Sequence, residues 1–142
     1  LTPVFVSVEQ GPDSAANRMA AQGLESVPHY FLDSAGGAGA IIGALARMEA
    51  VVSMRLHALI FVAGQGIPLA GVVYDPKVSA FLRYIGQELF TDLADLTAGN
   101  LKSMVDQAVI QAARPEDQAA AVARLQEMEH GNVAAARRLL KI

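Results

Sequence analysis

Residues 50–73 read AVVSMRLHALIFVAGQGIPLAGVV. Two short runs rich in valine, residues 50–53 and 68–73, flank an apolar segment of helical length, residues 56–63, which stops at Gly64 and Gly66. Strands that are continuously apolar and separated by a helix are typical of a parallel sheet with both faces covered. The stretch therefore predicts a β–α–β unit.

The same alternation of strands and helices extends on both sides of this unit. Strands are predicted at residues 3–8 and 29–32, and helices at 15–22, 38–47 and 76–85. Residues 91–111 and 115–140 predict two further helices without strands between them. We therefore predict an α/β fold. A Rossmann-like parallel sheet with helices on both faces would span residues 1–90, and a helical C-terminal extension, residues 91–142, would pack on the same domain.

Composition excludes several classes of protein. The chain is 53% hydrophobic and 18% charged, which suits a packed core and argues against disorder. The net charge is -3 without a basic cluster, so no nucleic-acid partner is expected. The chain has no cysteine, which excludes thiolate nucleophiles and Cys-ligated zinc, and we predict no metal site. A cysteine-free chain suits a reducing cytoplasm, where we expect the protein.

Arg55 and His57 are polar residues inside the apolar run, at the junction between a strand and a helix. In parallel sheets, ligands bind beyond the carboxyl ends of the strands. A helix N-terminus offers unpaired backbone donors, and an arginine can grip a phosphate or carboxylate with two parallel bonds. The junction therefore suits an anion site. The alternative is that Arg55 pairs with an acid of the protein and His57 caps the helix.

Two other strand ends carry weaker candidates. Tyr74, Asp75 and Lys77 follow the strand at 68–73, but Asp75 before a proline is explained as a helix N-cap, and Lys77 could equally be a solvated surface residue. Gln10 and Asp13 follow the first strand and are candidates for the same crevice, with a turn and a helix start as the alternative.

The order of motifs from residue 50 to 87 resembles the polysaccharide pyruvyl transferase family, and within it the CsaB-type branch. That resemblance rests on MRLHALIF at residues 54–61, GIP at 66–68, YDPKV at 74–78, Phe81 and GQ at 86–87. Single motifs of this length are weak signals, whereas their order and spacing together are specific.

The resemblance implies a two-domain fold of the GT-B type, of which this chain would be the C-terminal half, inactive without its N-terminal partner domain. It implies phosphoenolpyruvate as donor substrate, no cofactor, and a sugar acceptor in a cell-wall polysaccharide or its lipid-linked precursor. A lipid-linked acceptor would bring the enzyme to the inner face of the membrane. Arg55 would bind the donor anion, His57 would act as acid or phosphate contact, and Leu56 would orient the pair.

Two other functions remain open from the sequence. One is a nucleotide-sugar-binding domain of a GT-B-type glycosyltransferase or sugar 2-epimerase. Such domains pair a glycine-rich turn with an acid for the ribose, and the glycines at residues 36–39 lack the Gly-x-Gly-x-x-Gly spacing. The other is a non-catalytic module that binds a partner through its helical tail.

Overall fold

The computed structural model describes residues 1–9, 11–33 and 36–141, which fold as two compact units, Leu1–Ala44 and Leu45–Ile142. Both units contain parallel strands flanked by helices. The predicted α/β, Rossmann-like fold with a C-terminal helix is therefore confirmed. The division into domains at residues 1–90 and 91–142 stays a prediction.

The first unit is built on two parallel strands, β1 (Val4–Val6) and β2 (Tyr30–Leu32). Helix α1 (Pro12–Ala20) connects them and contacts β1. Pro12 stands in the first turn, where its missing N–H costs no hydrogen bond. Helix α2 (Ala38–Leu45) begins after Gly37, as the sequence predicts for a glycine loop that opens a helix.

The second unit contains a three-stranded parallel sheet in the order β3–β4–β5, formed by Val51–Ser53, Leu69–Val73 and Phe90–Asp92. Helix α3 (Leu56–Gly64) joins β3 to β4, and helix α4 (Pro76–Tyr84) joins β4 to β5. A 3₁₀ turn (Leu93–Asp95) leads into helices α5 (Ala98–Ala112) and α6 (Pro115–Leu140).

Strand β4 is the centre of the core in this unit. All five of its residues are buried, and because successive side chains point to opposite faces, both faces of the strand are covered. Fully buried side chains from α3 (Leu59, Val62) and α4 (Val78, Leu82) pack around it. At Gly71 an added methyl group would overlap with the side chain of Leu82, so α4 lies as close to the strand as glycine permits.

Two features of the fold differ from the prediction. The described strands form two separate ladders, β1–β2 and β3–β4–β5, where the sequence predicts one sheet. The helix predicted over residues 91–111 is wrong in its first part, because residues 90–92 pair with β4 as strand β5. Helix α5 begins only at Ala98, where Thr97 and Asn100 form a reciprocal capping box.

Helix α6 contacts α3 and α5, in the same unit. Its half-buried residues Val122, Leu125 and Met128 recur at helical spacing in its first half, whereas residues 129–141 are exposed. Gly131 lies inside this helix. Within the described residues, no helix combines the length and the apolar character that crossing a bilayer demands.

Candidate functional site

The carboxyl ends of β3, β4 and β5 meet at one edge of the second unit's sheet, because the three strands are parallel. Most of the candidate residues predicted from the sequence come directly after these strand ends in the chain. Arg55, Leu56 and His57 come after β3, and Tyr74, Asp75 and Lys77 come after β4. Candidate residues from two separate sequence motifs therefore lie at the same edge of the sheet.

The turn from β3 into α3 is ordered by Ser53. Its hydroxyl oxygen accepts a hydrogen bond from the Arg55 amide at 3.0 Å, and the Arg55 carbonyl accepts from the Leu59 amide at 3.2 Å. Arg55 is the N-cap residue in an extended conformation, and its side chain makes no cap hydrogen bond. The alternative in which His57 caps the helix is therefore not observed, and no side chain that the structure describes is seen to accept a hydrogen bond from the first amides of α3.

His57 is exposed in the first turn of α3, whereas Arg55 and Leu56 are half-buried. Ala58 and Leu59, the next two residues, are buried and anchor the helix in the core. The His57 ring lies 6.4 Å from the Phe61 ring, centroid to centroid, one helical turn further along. Core packing of one helix face therefore holds the imidazole on the solvent-facing side of the strand end.

The turn from β4 into α4 is fixed by Asp75. One carboxylate oxygen accepts from the Lys77 amide at 2.9 Å, with Pro76 at the first helical position, which confirms the predicted N-cap. The other oxygen lies 3.6 Å from the Lys77 ammonium, and that ammonium lies 5.9 Å from the centre of the Tyr74 ring. Lys77 therefore shares its charge between a carboxylate and an aromatic face.

An open groove of about 580 Å³ lies between the ends of β4 and β5. Its walls are formed by Val73, Tyr74, Asp75, Pro76, Ser79, Asp92, Leu93 and Ala94. Two predicted candidates, Tyr74 and Asp75, line this groove, whereas Arg55, Leu56, His57 and Lys77 are not among its lining residues. We call it the β4–β5 groove.

Ser79 and Asp92 are groove residues that sequence reasoning missed. The Ser79 hydroxyl donates to the Pro76 carbonyl at 3.0 Å. Asp92 is exposed, and its carboxylate makes no hydrogen bond or ion pair with any residue that the structure describes. The missed signal was the aromatic and β-branched pair Phe90–Thr91 following the helix stop at Gly86, which is typical of a strand.

In the first unit, Asp13 holds the loop that follows β1. Its carboxylate accepts hydrogen bonds from the amides of Val8 and Glu9 at 3.1 and 2.9 Å. This geometry accords with the turn-forming interpretation of Asp13. Gln10, the other candidate after β1, lies outside the described residues, and a role of either residue in substrate binding stays a prediction.

A network of polar side chains that was not predicted from the sequence lies at the carboxyl ends of β1 and β2. Asp33 accepts hydrogen bonds from the hydroxyls of Ser7 and Ser14 at 3.0 and 2.9 Å, and from Arg18 at 2.6 Å. The hydroxyl of Ser14, then that of Ser7, and the Arg18 charge hold the pKa of Asp33 below its ordinary value. Ser7 is buried, and all these groups are partnered, so the network ties α1 to both strands.

Among the described side chains, no three acidic or histidine groups lie together as metal ligands would. The prediction that no metal takes part is not tested by this finding, and it stays a prediction.

Comparison with known proteins identifies the chain's family. The family model described as polysaccharide pyruvyl transferase matches residues 6–76, half of the chain. The match begins in β1 and ends at the first residue of α4, so it includes the Arg55–His57 junction and the Tyr74–Asp75 turn. No curated protein and no solved structure matches. The chain therefore belongs to the polysaccharide pyruvyl transferase family.

Proposed function

We propose that this chain takes part in the transfer of a pyruvyl group from phosphoenolpyruvate to a sugar of a cell-wall polysaccharide or of its lipid-linked precursor. Membership of the family supports a transferase that acts on polysaccharides. The observation that carries the finer proposal is the Arg55–Leu56–His57 run, which lies at the carboxyl end of β3 and opens α3. The donor would bind there.

The chemistry of this junction suits the donor. Phosphoenolpyruvate carries a phosphate and a carboxylate on the same carbon atom, so a binding site must offer a fixed cation and several hydrogen-bond donors. Arg55 supplies the cation, and the N-terminus of α3, which the Arg55 side chain does not cap, supplies backbone N–H groups with the favourable end of the helix dipole. Leu56, which is half-buried, orients the pair by packing inward.

The reaction requires proton transfers that the exposed His57 can serve. Protonation of the donor's methylene carbon makes its central carbon electrophilic, and one sugar hydroxyl adds there with loss of its proton. A second hydroxyl of the same sugar then bonds to that carbon as the C–O bond to phosphate breaks; its proton leaves with the inorganic phosphate, and a cyclic ketal forms. An imidazole can donate or accept a proton near neutral pH, and His57 stands beside the position proposed for the donor.

The remaining substrate contacts are assigned to Tyr74, Asp75 and Lys77 at the end of β4. Lys77 is exposed and could turn from Asp75 to a phosphate, since the two charges are 3.6 Å apart and solvated. We also include Gln10 and Asp13, which follow β1 in the sequence, among the proposed substrate-binding residues.

We also propose that the chain is the C-terminal half of a CsaB-type enzyme with a GT-B-like architecture, acting in the cytoplasm at the inner face of the membrane. The order of motifs from residue 54 to 87 supports this placement. A partner domain would then complete the cleft, and the isolated chain would bind the donor without turning it over.

Titration with phosphoenolpyruvate tests the donor site. A charge-assisted hydrogen bond contributes about 1.5–3 kcal/mol, so Arg55→Ala should weaken binding by about 10- to 150-fold. The matched control is Arg47→Ala, an exposed arginine of the same unit that makes no hydrogen bond or ion pair with a described residue. Equal affinity of both variants for phosphoenolpyruvate would contradict the proposal, and binding of a uridine diphosphate sugar in its place would favour a nucleotide-sugar enzyme.

A further inference from the structure

We propose that the β4–β5 groove is the subsite for the acceptor, where Asp92, Ser79 and Tyr74 bind the hydroxyls and one face of a neutral sugar ring. This inference rests on the proposed function and adds the location and the chemistry of acceptor binding. It assigns a role to Asp92 and Ser79, which the motifs do not include.

The groove is formed by the register of two neighbouring strands. Val73 of β4 is paired with Asp92 of β5, so both strands end at the same level and their following turns form the two walls. Val73 is buried and forms part of the lining. The volume of about 580 Å³ lies within the range of about 300–1,000 Å³ that is usual for small-molecule sites.

The lining offers the groups that recognise a sugar. The Asp92 carboxylate is exposed and has no partner among the described residues, so it can accept hydrogen bonds from two hydroxyls. Ser79 donates its proton to Pro76, which leaves its oxygen free to accept another. The Tyr74 side chain is 46% exposed and offers an apolar ring face with a polar tip.

The charge of the groove selects against the donor and against nucleotides. Two carboxylates, Asp75 and Asp92, line it. The Lys77 ammonium, 3.6 Å from Asp75, offsets the charge of Asp75, whereas Asp92 has no cation among the described residues. On the β5 side of the groove a phosphate, a carboxylate or a diphosphate would meet the uncompensated charge of Asp92, whereas a neutral polyol would meet hydrogen-bond acceptors. The β4–β5 groove and the cationic junction at the end of β3 are therefore complementary to different substrates.

The distance between these two places fits a reaction between neighbouring ligands. Strand β4 separates β3 from β5, and adjacent strands lie about 4.8 Å apart; Ser53 pairs with Gly71 and Asp92 with Val73, so with this two-residue stagger the outer strand ends are about 12 Å apart. A sugar in the groove would lie beside a donor held at Arg55 and His57, on the same edge of the sheet.

Nuclear magnetic resonance of the ¹⁵N-labelled 142-residue chain tests this assignment. The probes are the neutral methyl glycosides of glucose, galactose, mannose and their N-acetylamino analogues, each titrated with and without phosphoenolpyruvate. We expect at least one glycoside to cause saturable shifts of the backbone amides of residues 73–75, 79 and 92–94. Asp92→Ala should weaken that glycoside's binding at least five-fold, and Tyr74→Leu should weaken it similarly.

Matched control variants distinguish the loss of a groove side chain from the loss of a similar side chain elsewhere on the surface. Asp95→Ala removes an exposed carboxylate from the adjacent 3₁₀ turn, and Tyr84→Leu removes a comparably exposed ring at the end of α4. Neither residue lines the groove, so both variants should bind the glycoside as the unaltered chain does. Asp92→Asn keeps the size of the side chain and serves if the alanine variant does not fold.

The results distinguish this inference from the proposed function. If phosphoenolpyruvate binds in an Arg55-dependent manner but no glycoside shifts the groove amides, the acceptor subsite is refuted and the donor site stands. Shifts of the amides of residues 92–94, on the β5 side of the groove, by phosphoenolpyruvate alone or by uridine diphosphate glucose would refute the selectivity argued here. If no Arg55-dependent binding of phosphoenolpyruvate occurs, the proposed function itself fails.

Discussion

Replacing Gly71 by alanine tests whether the packing of α4 on β4 is as tight as the structure shows. A methyl group at this position would overlap with the side chain of Leu82, which is fully buried in a densely packed core. Overpacking of a dense core costs about 1–3 kcal/mol, so Gly71→Ala should lower the free energy of unfolding by that amount.

A double-mutant cycle gives the cause of this loss. Leu82→Ala alone should cost about 2–5 kcal/mol because it leaves a cavity. The three atoms nearest to the added methyl group all belong to Leu82, so Gly71→Ala should cost much less in the Leu82→Ala background. The assay is urea unfolding followed by far-ultraviolet circular dichroism, with the four proteins measured at one pH and temperature.

Gly64→Ala is the matched control for the cycle. Gly64 ends α3, and an added methyl group there meets no atom within 4 Å. This substitution should leave the free energy of unfolding unchanged or raise it by about 0.4–1 kcal/mol, because alanine lowers the conformational entropy of the unfolded chain. The argument is refuted if Gly71→Ala is as stable as the original chain, or if it costs the same with and without the Leu82 side chain.

Three further outcomes are expected. Asp33→Asn should lower the urea midpoint at pH 7, because the fold lowers the pKa of Asp33 and so favours its charged form. This stabilisation is complete above about pH 4, the unfolded-state value, and is lost as the pH falls through the folded-state pKa. The urea midpoints of the two proteins should therefore become equal in acid. Thr97→Ala removes the capping box of α5 and should cost about 1 kcal/mol in the same assay, and an unchanged midpoint would count against the cap. Asp75→Ala should cost about 1 kcal/mol through the lost N-cap of α4, whereas Asp75→Asn should restore most of it, since asparagine caps equally well.

The parts of the fold that local sequence determines were predictable. Apolar runs of strand length predict β3 and β4, and Asp75 before Pro76 predicts both the start of α4 and its cap. These patterns are reliable because the interactions behind them join residues that are close in sequence. Strand β5 was mistaken for helix because Leu93, Leu96 and Leu101 mimic helical spacing. Its extended conformation depends on pairing with β4, which is a non-local interaction.

The same limit applies to the candidate site. The sequence predicted that Arg55 and His57 stand at a strand-to-helix junction, and the structure has them there. The β4–β5 groove could not be foreseen without β5, since one of its walls begins at Asp92. The network around Asp33 joins serines from β1's end and from α1, and no local pattern indicates that these three residues meet.

The measurement that tests the account most directly is the map of amide shifts caused by phosphoenolpyruvate in the ¹⁵N-labelled chain. The account predicts saturable shifts centred on residues 54–58, at the end of β3 and the start of α3, which disappear in Arg55→Ala. Saturable shifts centred elsewhere and indifferent to Arg55 would contradict it.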